Sequence, residues 1–282
     1  MERGIDSGGE GGRLAGKRGG SPGAARSWRR SLPIVLSMLD IWFTREFPDL
    51  PPCLNREERG RSERFLRGVD RRTFVQAHTF KRLLISHYDP ATAPGDWRFV
   101  NSSYGKPGIA PSHRCHFNLS HSGPCLAVAL ADFPVGVDIE RQREMKDVEV
   151  LAREVFHPGE REWLVAQPCF LTAFFRLWTV KEAILKAVGT GFSTPPDSFC
   201  CEVSSGEFAS ANVAGSRWHC WSRSGGDFHL SVAAAVQPLS GPRYFQVHGA
   251  PVARSVSPSA VCHPSVSRLL RYASSADCCC CR

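Results

Sequence analysis

A chain of 282 residues, 42% hydrophobic and 22% charged, can bury a sizeable core as one large or two small domains. Its formal charge of +8 sits in the ends: residues 1–30 hold 7 Lys+Arg against 3 Asp+Glu, residues 241–282 hold 5 against 1, and residues 31–240 balance 23 against 23. A neutral middle argues against a domain that grips nucleic-acid phosphates, and the longest apolar run, Leu32 to Leu39, is too short to cross a bilayer.

No secretory leader is recognised, so the expectations are a cytoplasmic location and no membrane or nucleic-acid partner. Residues 1–30 carry nine glycines without apolar periodicity and read as a disordered tail. Ile34 to Phe43 suits a first strand. Asn55 caps a short charged helix to Arg67, and Asp70 opens a longer one to about His87, with Phe74, Ala77, Phe80 and Leu84 at helical spacing. Short strands are expected at Trp97–Val100, His116–Ser120, Cys125–Ala131 and Val135–Glu140. A helix over Val148–Phe156 stops at His157-Pro158-Gly159. The strongest helix runs from about Cys169 to Val188 and ends at Gly189. Strands Phe199–Val203, Trp218–Trp221 and Phe228–Val236 follow, and from Leu239 the chain reads as a Ser-, Pro- and Arg-rich tail. This order predicts an α+β fold of two similar lobes, 31–133 and 134–238, each with helices on a mainly antiparallel sheet. Of the twelve cysteines, those outside the Cys278 to Cys281 run form no C-x-x-C pair, so no zinc ribbon is expected. The run Cys278 to Cys281 has no physical explanation in the sequence.

Three segments carry chemistry. In Val135-Gly-Val-Asp138-Ile-Glu140, strand alternation puts both carboxylates on one face, where they repel unless a cation lies between them. Magnesium suits such a pair because it takes one or two carboxylates plus phosphate and water oxygens, although a solvated strand face would look the same. In Trp178-Thr-Val-Lys181-Glu182-Ala-Ile-Leu-Lys186, Glu182 and Lys186 share one face of an apolar helix, where a buried charge needs a partner. Phe117-Asn118-Leu-Ser120-His121-Ser122-Gly123, downstream of Gly105-Lys106-Pro107, gathers donors that suit a phosphate or a simple turn.

In this order, over Leu36 to Val236, the segments closely resemble the 4'-phosphopantetheinyl transferase superfamily, in its larger two-lobed, surfactin-synthetase-activating form. Gly-Val-Asp-Ile-Glu and Trp-Thr-x-Lys-Glu-Ala, about forty residues apart, are the specific pair. The resemblance implies a monomeric enzyme, a holo-[acyl-carrier-protein] synthase. It would move the phosphopantetheine arm of coenzyme A onto a serine of an apo acyl or peptidyl carrier protein and release 3',5'-ADP. It implies magnesium held by Asp138, Glu140 and Glu182, and catalytic roles for Glu182 as base, a role Glu140 could fill instead, and for Lys186 on the pyrophosphate. It implies coenzyme A contacts at Lys106, Ser120, His121 and Lys181, and at Arg59, Arg61 and Arg72 in the arginine-rich stretch. Another magnesium-dependent phosphoryl-transfer or phosphodiester-cleaving enzyme is the alternative.

Overall fold

The computed structural model describes residues 38–204, 206–238, 241–248 and 273–275. The 1–30 segment, residues 34–37 of the expected first strand and the Cys278 to Cys281 run lie outside the described residues.

The chain opens with β1 (Leu39–Thr44), followed by α1 (Arg56–Ser62) and α2 (Gly68–Tyr88). A hairpin of β2 (Arg98–Asn101) and β3 (Pro107–Ala110) leads to β4 (His116–Ser122), β5 (Cys125–Ala131) and β6 (Val135–Arg141). Then come α3 (Val148–Val155), α4 (Pro158–Val165) and α5 (Phe170–Val188). The remaining strands are β7 (Glu202–Val203), β8 (Phe208–Val213), β9 (Ser216–Gly225), β10 (Phe228–Ala234), β11 (Arg243–Val247) and β12 (Ala273–Ser275).

Two five-stranded sheets result, in the orders β12-β11-β1-β5-β4 and β6-β10-β9-β8-β7. The second is antiparallel throughout, and the first is antiparallel except where β1 runs parallel to β11. Helix α2 covers one face of the first sheet through Phe80, Leu83 and Leu84, which meet Trp42, Leu126 and Val128. Helix α5 covers the second through Leu177, Val180 and Ile184, against Ala209, Ala211, Cys220 and Ala233. The uncovered faces pack on each other through Ile41, Phe43, Ala127, Ala129, Val137, Ile139, Leu230 and Val232. This is the two-lobed α+β architecture expected. Strand β5 is buried on both faces, and that is why its seven residues show no polar alternation.

The tail expected from Leu239 needs correction. Arg243–Val247 forms a strand beside β1, with Tyr244 and Val247 buried and Arg243 pairing at 2.7 Å with the buried Asp40. The outer side of β1 would otherwise be an unpaired edge. The helix expected over Val148–Phe156 does stop before His157-Pro158-Gly159, ending at Val155, and the same tripeptide also starts a new helix. His157 and Glu160 form a reciprocal cap, and Pro158 takes the first helical position, where no amide donor is needed.

Strand β6 and helix α5 touch backbone to backbone. A Cβ on Gly136 would lie 2.1 Å from the Ala183 carbonyl oxygen and 2.3 Å from the Ala187 nitrogen. Neither atom can move without displacing the helix. Gly136→Ala should therefore lower the unfolding free energy by about 3 kcal/mol, at the upper end of overpacking costs. Urea unfolding of the purified variant measures this, and a loss below about 1 kcal/mol would mean that α5 has room to retreat.

Candidate active site

The close approach at Gly136 places the polar flank of α5 over the end of β6. Asp138 is 3% exposed, and its Oδ1 accepts from Lys186 Nζ at 2.5 Å and from Ser120 Oγ at 2.7 Å. Its Oδ2 is buried without a hydrogen-bond partner. Two residues along the strand, on the same face, Glu140 Oε2 accepts from Ser122 Oγ at 2.6 Å and from Arg143 at 3.4 Å. Glu182 faces this pair from α5. Burial pushes its carboxyl up, Lys186 draws it down, and the carboxylates of Asp138 and Glu140 push it up further. Three acids and one lysine, from one strand and one helix, thus sit within electrostatic reach of each other. Among the described residues no three His, Cys, Asp or Glu side chains form a ready-made metal cluster. One oxygen of Asp138 is already taken by a lysine.

A cavity of about 280 Å³ adjoins these groups, lined by Tyr104, Lys106, Pro107, Leu119, Glu182 and Lys186 among others. A second, of about 520 Å³, shares Gly105, Pro107, Asn118 and Leu119 with it and extends to Arg61, His78 and Lys81. At its far wall Glu58 binds His78 at 2.8 Å, Lys81 at 3.1 Å and Arg82 at 2.6 Å. Burial alone would raise the Glu58 carboxyl, but these three partners hold it well below the usual carboxylate range. The same burial lowers the Lys81 ammonium to about 8.

The other expected contacts divide. Arg61 lines the larger cavity and lies over the Phe74 ring. Arg59 donates to the Leu54 carbonyl at 2.7 Å, and Arg72 is exposed on α2; neither lines either of these two cavities. His121 is exposed, its imidazole lowered by partial burial and then by the charge of Lys186. Ser120 is buried and committed to Asp138.

Lys106 lines the smaller cavity, but its ammonium donates to the carbonyls of Val135 at 3.1 Å and Ala187 at 2.8 Å, and burial lowers it to about 8. It therefore caps the end of α5. Gly189, at φ 80°, gives it passage, since a Cβ there would lie 2.8 Å from Lys106 Cδ.

Lys181 is a correction. Its ammonium points away from the cavities, bonded at 2.7 Å to both oxygens of Glu160 and at 2.8 Å to the Phe199 carbonyl, with the side chain 2% exposed. A lysine one position round the helix from Glu182 faces the interior, so it cannot touch a ligand beside Glu182. Sequence reasoning passed over Glu160, although the spacing His157-x-x-Glu160 is a capping signal. It also passed over Tyr104, and it read Ser122 only as one of the donors at a strand tip.

Comparison with known proteins bears on this arrangement. A model of the 4'-phosphopantetheinyl transferase superfamily matches residues 134–233, the segment from the turn before β6 into β10. The 4'-phosphopantetheinyl transferase psf-1 of Bacillus pumilus is 34% identical over 163 residues, 57% of this chain and 68% of its own. The chain belongs to the 4'-phosphopantetheinyl transferase superfamily. Two further members of that superfamily match over shorter stretches. The transferase gsp of Aneurinibacillus migulanus is 42% identical over 36% of this chain and 42% of its own. Sfp of Bacillus subtilis strain 168 is 33% identical over 51% and 63%. The matched stretches thus span 42% to 68% of these superfamily relatives. The crystal structure of Thermotoga maritima holo-[acyl-carrier-protein] synthase aligns over 36% of this chain and 61% of that one, at 18% identity and a TM-score of 0.30, too slight a likeness to bear on the site. Among the described residues no helix is long and apolar enough to cross a membrane.

Proposed function

We propose that this chain transfers the 4'-phosphopantetheine arm of coenzyme A to a serine of an apo acyl or peptidyl carrier protein, releasing 3',5'-ADP. The observation that carries the reading is the convergence of Asp138, Glu140, Glu182 and Lys186 beside two cavities that share a wall. An elongated, anionic ligand suits that shape. Lys186 faces one cavity, and Arg61 and Lys81 face the other.

The donor set is compatible with magnesium. Asp138 Oδ2 is a buried acceptor without a partner, and three mutually repelling carboxylates gain from a shared cation. Asp138, Glu140 and Glu182 are the residues that would hold it, and when bound it neutralises and orients the pyrophosphate. The chain's own groups carry the rest. The serine oxygen of the carrier bonds to the β-phosphorus of coenzyme A, and the bond from that phosphorus to the pyrophosphate bridge breaks. Glu182, whose burial raises its proton affinity, takes the serine proton. Lys186 offsets the charge that develops on the departing 3',5'-ADP. Catalysis of this type is mostly positioning and electrostatics. Both walls come from one chain, which supports a monomer acting as a holo-[acyl-carrier-protein] synthase, and a cytoplasmic place belongs to the same reading.

Mass spectrometry of purified apo-carriers after incubation with enzyme, coenzyme A and magnesium tests the proposal. The expected result is a gain equal to one phosphopantetheine, with no breakdown of coenzyme A when the carrier is omitted. Consumption of coenzyme A without a carrier would favour phosphodiester cleavage instead.

A further inference from the structure

Strand β4 is the edge of the first sheet and β6 the edge of the second, and they are joined by a ladder that is not a backbone ladder. Asn118 Oδ1 accepts the Val137 amide at 2.9 Å, Ser120 Oγ the Ile139 amide at 3.3 Å, and Ser122 Oγ the Arg141 amide at 3.2 Å. Every second side chain of β4 takes every second amide of β6. An edge strand would otherwise leave those amides unpaired.

Both hydroxyls also serve the acids. A serine hydroxyl has one proton to give and lone pairs to receive. Ser120 gives its proton to Asp138 at 2.7 Å, and Ser122 gives its proton to Glu140 at 2.6 Å, while each accepts the amide of the residue that follows that acid. The contact that sets the register between the lobes is thus the contact that orients the two carboxylates. Glu140 depends on it more, because its remaining partner, Arg143, is exposed and sits at 3.4 Å.

We infer that Ser122 is a positioning residue for the reaction, holding the Glu140 carboxylate toward the cation while locking the β4–β6 seam. The inference rests on the reading of Asp138 and Glu140 as metal-holding side chains. Removing a hydrogen bond that orients a metal ligand typically costs about 10- to 100-fold in affinity.

The test uses the full chain with Ser122→Ala and Ser122→Thr, the second of which keeps a hydroxyl. Manganese binding, read by electron paramagnetic resonance with coenzyme A present and no carrier, should weaken about 10-fold in Ser122→Ala and recover in Ser122→Thr. The magnesium concentration for half-maximal carrier loading should rise in step, while the KM for coenzyme A stays near wild type and the loss of the two seam hydrogen bonds lowers the melting temperature by only a few degrees. Should Ser122→Ala fail to fold, Ser122→Cys, which keeps the size but weakens both hydrogen bonds, carries the same measurement. Wild-type manganese affinity in a folded variant lacking the hydroxyl would overturn the inference. A wild-type protein that binds manganese tightly yet loads no carrier would instead overturn the functional reading and leave the role of Ser122 in metal binding intact.

Discussion

Glu160→Ala should lower the unfolding free energy by about 3–5 kcal/mol, the cost of leaving one partner of a buried ion pair alone. The Glu160 carboxylate accepts from Lys181 through both oxygens and from the amides of Cys201 at 2.7 Å and His157 at 2.9 Å, and the residue is 2% exposed. Removing it strands an ammonium whose side chain is 2% exposed, together with two amides. The Phe199 carbonyl at 2.8 Å and the Phe199 ring, 4.1 Å from the ammonium to its centroid, offset only part of that loss. By contrast, the double variant Glu160→Leu with Lys181→Met removes both charges and should recover most of the stability, because apolar replacement of a whole buried pair is often close to neutral. Urea unfolding of the single and double variants measures both. A single variant within about 1 kcal/mol of wild type would show that water reaches Lys181. The pair matters to chemistry because Lys181 precedes Glu182 on α5, and anchoring the first sets the rotation of the helix that presents the second.

The fate of Lys181 illustrates how far the sequence could be read. Helix α5 was legible to within a residue, since its apolar stripe is wide and Gly189 marks its end. The two acids of β6 were legible as a pair because strand alternation is a local property. Which of two adjacent charged residues on a helix faces ligand and which faces interior is not local. It depends on Glu160, which lies on another helix that begins at a Pro-Gly resembling a stop. Strand β8 was hidden for a similar reason. Its buried Ala209 and Ala211 fit beneath α5 because they are small, and small residues give little alternation signal. Strand β11 has buried Tyr244 and Val247, but its partner β1 lies some 200 residues earlier in the chain, in a parallel pairing no local pattern announces. Asn118, Ser120 and Ser122 were legible as a polar run at a strand tip. Their alternation was the clue that they serve a neighbouring strand edge, and only the position of β6 explains it.

Asp138→Asn should lower carrier loading by about 10²-fold or more, comparable to losing a key electrostatic group, while the protein stays folded. The substitution keeps the shape of the side chain and an acceptor for Ser120 Oγ. It removes the negative charge that holds Lys186 at 2.5 Å, and it turns one carboxylate oxygen into an amide that cannot bind a cation. Lys186 has a side chain 30% exposed and can turn to water, so the stability cost should stay near 1 kcal/mol. The loss should fall on kcat more than on the KM for coenzyme A, because Asp138 lines neither of the two cavities proposed to take coenzyme A. Glu182→Gln should match it in size for a different reason, since it abolishes the proton acceptor while leaving the Asp138–Lys186 contact in place. Raising magnesium should rescue part of the Asp138→Asn defect and none of the Glu182→Gln defect. Loading at wild-type rates in both variants would remove the acids from the mechanism, and equal rescue of both would limit Glu182 to holding the metal and leave Glu140 as the base.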